Sequence, residues 1–146
     1  MKLSLLTTVA LLSTISLATP ISVKAANPAQ LQRLREGKAC VGCDLSGANL
    51  RGAHLLGVDL RNANLTGANL ESANLEGADL TGANLKSANL KEAFANSAIF
   101  QNANLTNADF RNANLDGTEL KGAILAGAKF NGADLANADR EVRSAQ

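Results

Sequence analysis

Ala63-Asn64-Leu65-Thr66-Gly67 is followed at once by Ala68-Asn69-Leu70-Glu71-Ser72, and then by Ala73-Asn74-Leu75-Glu76-Gly77. The spacing of five continues without insertion or deletion from Cys43 to Asn137. Leu or Phe occupies 18 of the 19 positions divisible by five from Leu45 to Leu135, with Ala95 the exception. Ala stands two residues earlier in 16 of the 19, with Cys43, Val58 and Thr118 in its place elsewhere. The residue between them is Asn or Asp in 13, and His54, Phe94, Ile99, Glu119, Ile124 and Lys129 depart. A register this unbroken makes the repeat the unit that a fold must explain.

Period five suits neither regular element. On an α-helix each step of five turns a net angle of about 140°, so the leucines would wander around the cylinder. On one flat strand an odd period throws successive leucines to opposite faces. Within a single pentad, Ala48 and Leu50 are two apart and share one face of a short extended segment. The Gly, Asn or Ser that comes two residues after most leucines suits a turn, because Gly and Asn tolerate positive φ and Ser bonds its local backbone. Turns of one hand after every pentad would aim all Ala-Leu pairs at a common axis, giving a solenoid whose backbone hydrogen bonds run between coils.

The motif Ala-Asn/Asp-Leu-x-x, carried by Ala63-Asn64-Leu65-Thr66-Gly67 and its copies, resembles the pentapeptide repeat family over about two-thirds of the chain. That resemblance implies an all-β fold, a right-handed quadrilateral β-helix with four pentads per coil and the Leu/Phe and Ala side chains inside. At about 4.8 Å per stacked coil, the nearly five coils make a rod about 24 Å long. Four pentads per coil stack residues twenty apart. The first wall then carries Leu45 to Leu125, the second Leu50 to Phe130, the third Leu55 to Leu135 and the fourth Leu60 to Leu120. Ala95 leaves a gap in the third wall, and Phe100 on the neighbouring wall of the same coil conserves core volume.

The flanks divide the chain into a signal peptide (1–25), a capping helix (26–37), the repeat (38–138) and a polar tail (139–146). Met1-Lys2, the apolar run from Leu5 to Ala18 and Val23-Lys24-Ala25 fit the charge, apolar core and small-residue cut of a signal peptide. Asn27 suits an N-cap, Pro28 the first helical position and Gly37 the position after the helix. The sequence therefore predicts a short helix over 27–36, lying on the first coil. The C-terminal coil has no comparable cover, which points to an end-to-end homodimer there.

Charge excludes more than it assigns. Without Lys2 and Lys24 the chain carries 12 basic and 13 acidic residues. That balance gives no electrostatic footprint for nucleic acid. There is no Trp or Tyr to stack on bases. The repeat assembles no nucleophile, base and oxyanion site, so no catalytic residue is assigned and the chain reads as no enzyme. Nor does it assemble a phosphate loop or a consistent carboxylate ladder, so no cofactor and no metal are expected. His54 is the sole histidine and reads as a surface residue.

Phe94 and Ile99 are consecutive departures around Ala95. They read either as an exposed apolar corner that takes a partner, or as a distorted corner in which Phe94 turns inward to fill the gap. The inward placement is the default of the two. Cys40 falls in the Leu slot of a degenerate pentad and Cys43 in the Ala slot of the next. A residue and its third successor across a turn lie within about 7 Å, which suits a disulfide, and export favours oxidation. Two buried thiols and a thiol-disulfide redox centre are the alternatives.

Three functional classes follow. The first is a non-enzymatic exported structural or protein-interaction module, with an unknown protein partner and no membrane insertion after signal cleavage. The family resemblance places it in the periplasm or thylakoid lumen. The second is a DNA-mimicking topoisomerase-binding protein, as the family resemblance allows, against which the export signal and near-neutral charge argue. The third is a redox protein using Cys40 and Cys43.

Overall fold

The structure, a computed structural model, describes residues 27–37 and 39–139. The expected signal segment 1–25, Lys38 and residues 140–146 lie outside them. From Cys43 onward the chain winds in coils of twenty residues. Asp44 forms a parallel bridge with Asn64, Asn64 with Asn84, and Asn84 with Asn104, and the same step of twenty recurs on all four walls. Sheet structure takes the form of isolated bridges, one per pentad, and no strand is long enough to be named. The turns come too often for a ladder to extend along the chain.

One pentad shows how the sequence closes each corner. Asn64 N–H donates back to Cys43 C=O at 2.8 Å, Leu65 N–H donates forward to Asn84 C=O at 2.7 Å, and Gly67 N–H donates forward to Lys86 C=O at 2.9 Å. Ala68 N–H then donates to Leu65 C=O at 3.0 Å, closing a four-residue turn. Its third residue, Gly67, has φ +64, the positive φ that a type II turn requires. Asn, Ser and even Glu92 (φ 56) accept the same conformation at equivalent corners.

The Asn residues mostly do not form ladders between coils. Asn74 Oδ1 accepts the N–H of Glu76 at 3.0 Å, and most of the others likewise bond two residues on. Inter-coil amide bonds occur at Asn64–Asp44 and Asn89–Asn69. The short Asn side chain reaches its own turn more readily than the next coil.

The axis is apolar. Leu65, Leu70, Leu75, Leu80, Leu85 and Leu90 are fully buried, with the alanines between them. Each such leucine contributes about 1.5–3 kcal/mol relative to exposure. Thr118, in an Ala slot, is buried and donates its hydroxyl to Leu115 C=O at 2.8 Å. Toward the C-terminal coils three rings fill the axis. Phe100 meets Phe110 edge-on at 5.8 Å, and Phe110 stacks on Phe130 at 5.3 Å.

Helix α1 (Pro28–Arg35) covers the N-terminal end, one residue shorter at each end than the sequence predicts. Asn27 caps it through Ala29 N–H at 3.0 Å, and Leu34 is buried against the first coil. The helix also substitutes for a missing coil. Gln30 Oε1 accepts the N–H of Asp44 at 2.8 Å, where a carbonyl of a preceding coil would stand. At the other end Asp139 does a similar service, its Oδ2 accepting Leu120 N–H at 2.7 Å. Asp139 thus belongs to the end of the solenoid rather than to a free tail.

Candidate functional site

With the core closed, chemistry is confined to the outward positions, and these are fixed by the coil register. Phe94 stands on the third wall between Asn74 and Asn114, and Ile99 on the fourth between Asp79 and Glu119. Phe94 faces outward and is 54% exposed, while Ala95 beside it is fully buried. The inward placement is therefore corrected. Phe94 N–H donates to Ala73 C=O at 2.9 Å and its C=O accepts from Leu75 N–H at 2.7 Å. Turning the side chain to the axis would break both bonds and orphan their partners, at about 1–3 kcal/mol each. Ala95 shares its coil with the fully buried Phe100, whose ring meets Phe110. Ile99 is half-buried on the next wall, so Phe94 is the more prominent of the two.

Leu56 escaped notice in the sequence although a signal was available. It is the one large apolar residue among the positions that directly follow the inward Leu or Phe between 45 and 135, and it is 62% exposed. Ile124, a departure from the Asn/Asp position on the first wall, is also exposed.

Two carboxylates lie below the usual carboxylate range. The Arg61 guanidinium holds Asp59 down through a hydrogen-bonded pair at 2.6 Å, and Arg111 does the same for Asp109 at 2.8 Å. These are surface clamps within one turn. His54 borders a shallow cavity of about 280 Å³, lined also by Leu34, Arg35, Asn49 and Arg51. No carboxylate lines that cavity, so His54 has no acid partner there. Among the described residues no group of three His, Cys, Asp or Glu side chains could hold a metal ion. Among them, too, no helix is long and apolar enough to cross a membrane.

Cys40 and Cys43 occupy the inward slots expected of them. Cys40 N–H donates to Asp59 C=O at 2.8 Å, as a Leu of a preceding coil would, and both side chains are buried. Their Cα atoms are 5.3 Å apart, with the sulfurs at bonding distance.

The family model described as Pentapeptide repeats matches this chain in eight copies, over residues 43–82, 63–102, 78–117 and 103–139. The chain belongs to the pentapeptide repeat family. Among solved structures, it is similar to QnrB1, a plasmid-mediated fluoroquinolone resistance protein, at 28% identity and a TM-score of 0.60. That likeness covers 63% of this chain and 46% of QnrB1, so the chain spans less than half of that protein's length. A pentapeptide repeat protein (Rfr23) of the cyanobacterium Cyanothece 51142 is 30% identical, covering 77% of this chain and 95% of its own, with a TM-score of 0.49. A pentapeptide repeat protein of the Arabidopsis thaliana thylakoid lumen is 35% identical, covering 74% and 68%, with a TM-score of 0.39. No protein with a curated description matches the chain.

Proposed function

We propose that this protein is a non-enzymatic exported rod, a right-handed four-sided coil that binds another protein through the corner formed by Phe94 and Ile99. The observation that carries this reading is the outward, half-exposed Phe94 on a wall otherwise lined by the polar His54, Asn74, Asn114 and Asp134. An aromatic side chain at the centre of a polar face is the usual form of an interface anchor. The apolar axis, and the lack of an assembled catalytic acid–base pair among the described residues, support a role without catalysis. Export, to a periplasm or thylakoid lumen, rests on the signal pattern of residues 1–25.

The Cys40–Cys43 pair belongs to the same reading, as a disulfide that holds the junction between α1 and the first coil. So short a loop adds little global stability, and its effect is local. Thiol labelling of the exported protein should find neither cysteine free. Two reactive thiols would remove the staple.

The test of function is crosslinking in the native compartment, comparing the wild type with Phe94→Asn plus Ile99→Asn. Partners lost in the double variant support the corner, and identical partners in both remove it. QnrB1's resistance activity belongs to QnrB1. A gyrase-inhibition assay with the chain lacking residues 1–25 should show no inhibition, and inhibition would favour the DNA-mimicking reading.

A further inference from the structure

Phe94 and Ile99 sit on a longer edge with a consistent chemistry. The residues that follow the inward residue of the third wall form a column where the third and fourth walls meet, running Leu56, Glu76, Asn96, Asp116, Ala136. Asn96 is level with Phe94 and Ile99 and lies between them. Leu56 stands two coils nearer the N-terminal end, about 10 Å away along the rod.

The apolar positions on this edge are surrounded by carboxylates. Glu76 and Asp116 stand one coil to either side of Asn96, Asp79 and Glu119 flank Ile99 in its bridges, and exposed Glu92 precedes Phe94 by two residues. Two acids off this edge are neutralised: Glu71 pairs with Arg51 at 3.1 Å, and Asp109 with Arg111 at 2.8 Å and Lys91 at 3.7 Å. Of these five carboxylates only Asp79 approaches a cation among the described residues. It lies 3.7 Å from Arg61, whose guanidinium is already held by Asp59 at 2.6 Å. Glu119 accepts from the neutral Gln101 amide at 2.6 Å, and Asp116 from the neutral Asn137 amide at 2.8 Å. Exposed apolar side chains and uncompensated negative charge therefore share one straight edge.

We propose that this edge binds a cationic segment of another protein, one that presents two apolar side chains about 10 Å apart with Lys or Arg around them. The spacing matches residues seven apart on an α-helix, about 10.5 Å. Leu56 takes one apolar side chain, Phe94 with Ile99 takes the other, and Glu76 faces the stretch between them. A membrane surface is the wrong partner, because anionic headgroups would be repelled by this rim. The proposal rests on the reading of Phe94 and Ile99 as a partner site and adds the chemistry of what they receive.

The probe is a labelled helical peptide with two Leu one heptad apart and Lys around them, set beside its counterpart with every Lys replaced by Glu. Binding is read by fluorescence anisotropy against the chain lacking residues 1–25. The Lys peptide should bind. Phe94→Asn should weaken it about tenfold or more, as expected for a central anchor. Glu76→Gln plus Asp116→Asn should weaken it, and added salt should do the same in the wild type. Ile124→Asn, on the first wall, should leave it unchanged, and circular dichroism confirms that each variant is folded.

Equal binding of the Glu peptide, or no binding of the Lys peptide, overturns the cationic assignment. Undiminished binding to Phe94→Asn overturns the site. The two readings fail separately. Native crosslinks that need Phe94, together with no preference for the Lys peptide, would leave the corner and remove its assigned partner chemistry. Native crosslinks indifferent to Phe94 would remove both.

Discussion

Replacing Ala95 by Leu puts Leu or Phe at the inward position of every pentad, yet it should destabilise the rod. Ala95 is fully buried. In its own coil the inward space is taken by Phe100, which is also fully buried and meets Phe110 edge-on with ring centres 5.8 Å apart. Phe110 cannot retreat toward the C-terminal end, because Phe130 stacks on it at 5.3 Å. A Leu at position 95 must therefore push a ring off its rotamer or spread the coil, and either costs about 1–3 kcal/mol. For a repeat of this size the loss should lower the melting temperature by about 4 °C per kcal/mol. Phe100→Leu alone removes packed ring atoms and also destabilises, by about 1 kcal/mol or more. Combined, the two changes exchange volumes within one coil. The double variant should be more stable than the sum of the single losses predicts, by about 0.5–3 kcal/mol of coupling. Urea and thermal unfolding followed by far-UV circular dichroism, on the chain lacking residues 1–25, measures all four proteins. An Ala95→Leu variant as stable as the wild type, or a double variant whose loss is simply additive, would refute the placement of Ala95 and Phe100 in one coil.

Two further predictions concern the turns and the surface clamps. At Gly67, φ +64 with open space beyond, Gly67→Ala should cost about 1 kcal/mol from backbone strain, and Gly67→Asn less. Glu92→Gly should recover a similar amount at φ 56, and an unfolding midpoint that does not rise would contradict the turn assignment. Asp59 and Asp109 have carboxyls held below the ordinary 3.8 by Arg61 and Arg111. Their contribution to stability is complete above the unfolded-state value and is lost as the pH falls through it toward the folded-state value. Acid unfolding should accordingly be less steep in Asp59→Asn plus Asp109→Asn, and an unchanged slope would show that the clamps do not couple to folding.

The coil was legible because its cause is periodic. Leu or Phe every fifth residue, with Ala two before, leaves one arrangement that buries both, and the twenty-residue step of the bridges follows it without a slip. The ends were half legible. Asn27, Pro28 and Gly37 announced the helix, since capping residues act locally. Gln30 did not announce that its amide would stand in for a carbonyl of a missing coil, because that depends on where the helix lies. The candidate site was legible as an anomaly and illegible in its direction. Side-chain volume suggested that Phe94 would fill the gap at Ala95. The two main-chain hydrogen bonds of Phe94 keep it outside, and such bonds leave no mark in the identity of the residue. Most of the Asn side chains bond within their own turn, so they add little between coils. Leu56 was readable as the odd residue in its column, but only once the column was known to share an edge with Phe94 and Ile99.

Every function proposed for this rod requires Phe94 to face water while Ala95 faces the axis. The chain contains no Trp, so Phe94→Trp installs a single fluorescent reporter. Its emission maximum and acrylamide quenching, compared with Phe100→Trp in the same background, test the placement most directly. The expected result is a Trp at 94 that emits like indole in water and is readily quenched, and a Trp at 100 that is blue-shifted and shielded. A blue-shifted, shielded Trp at 94 would contradict it.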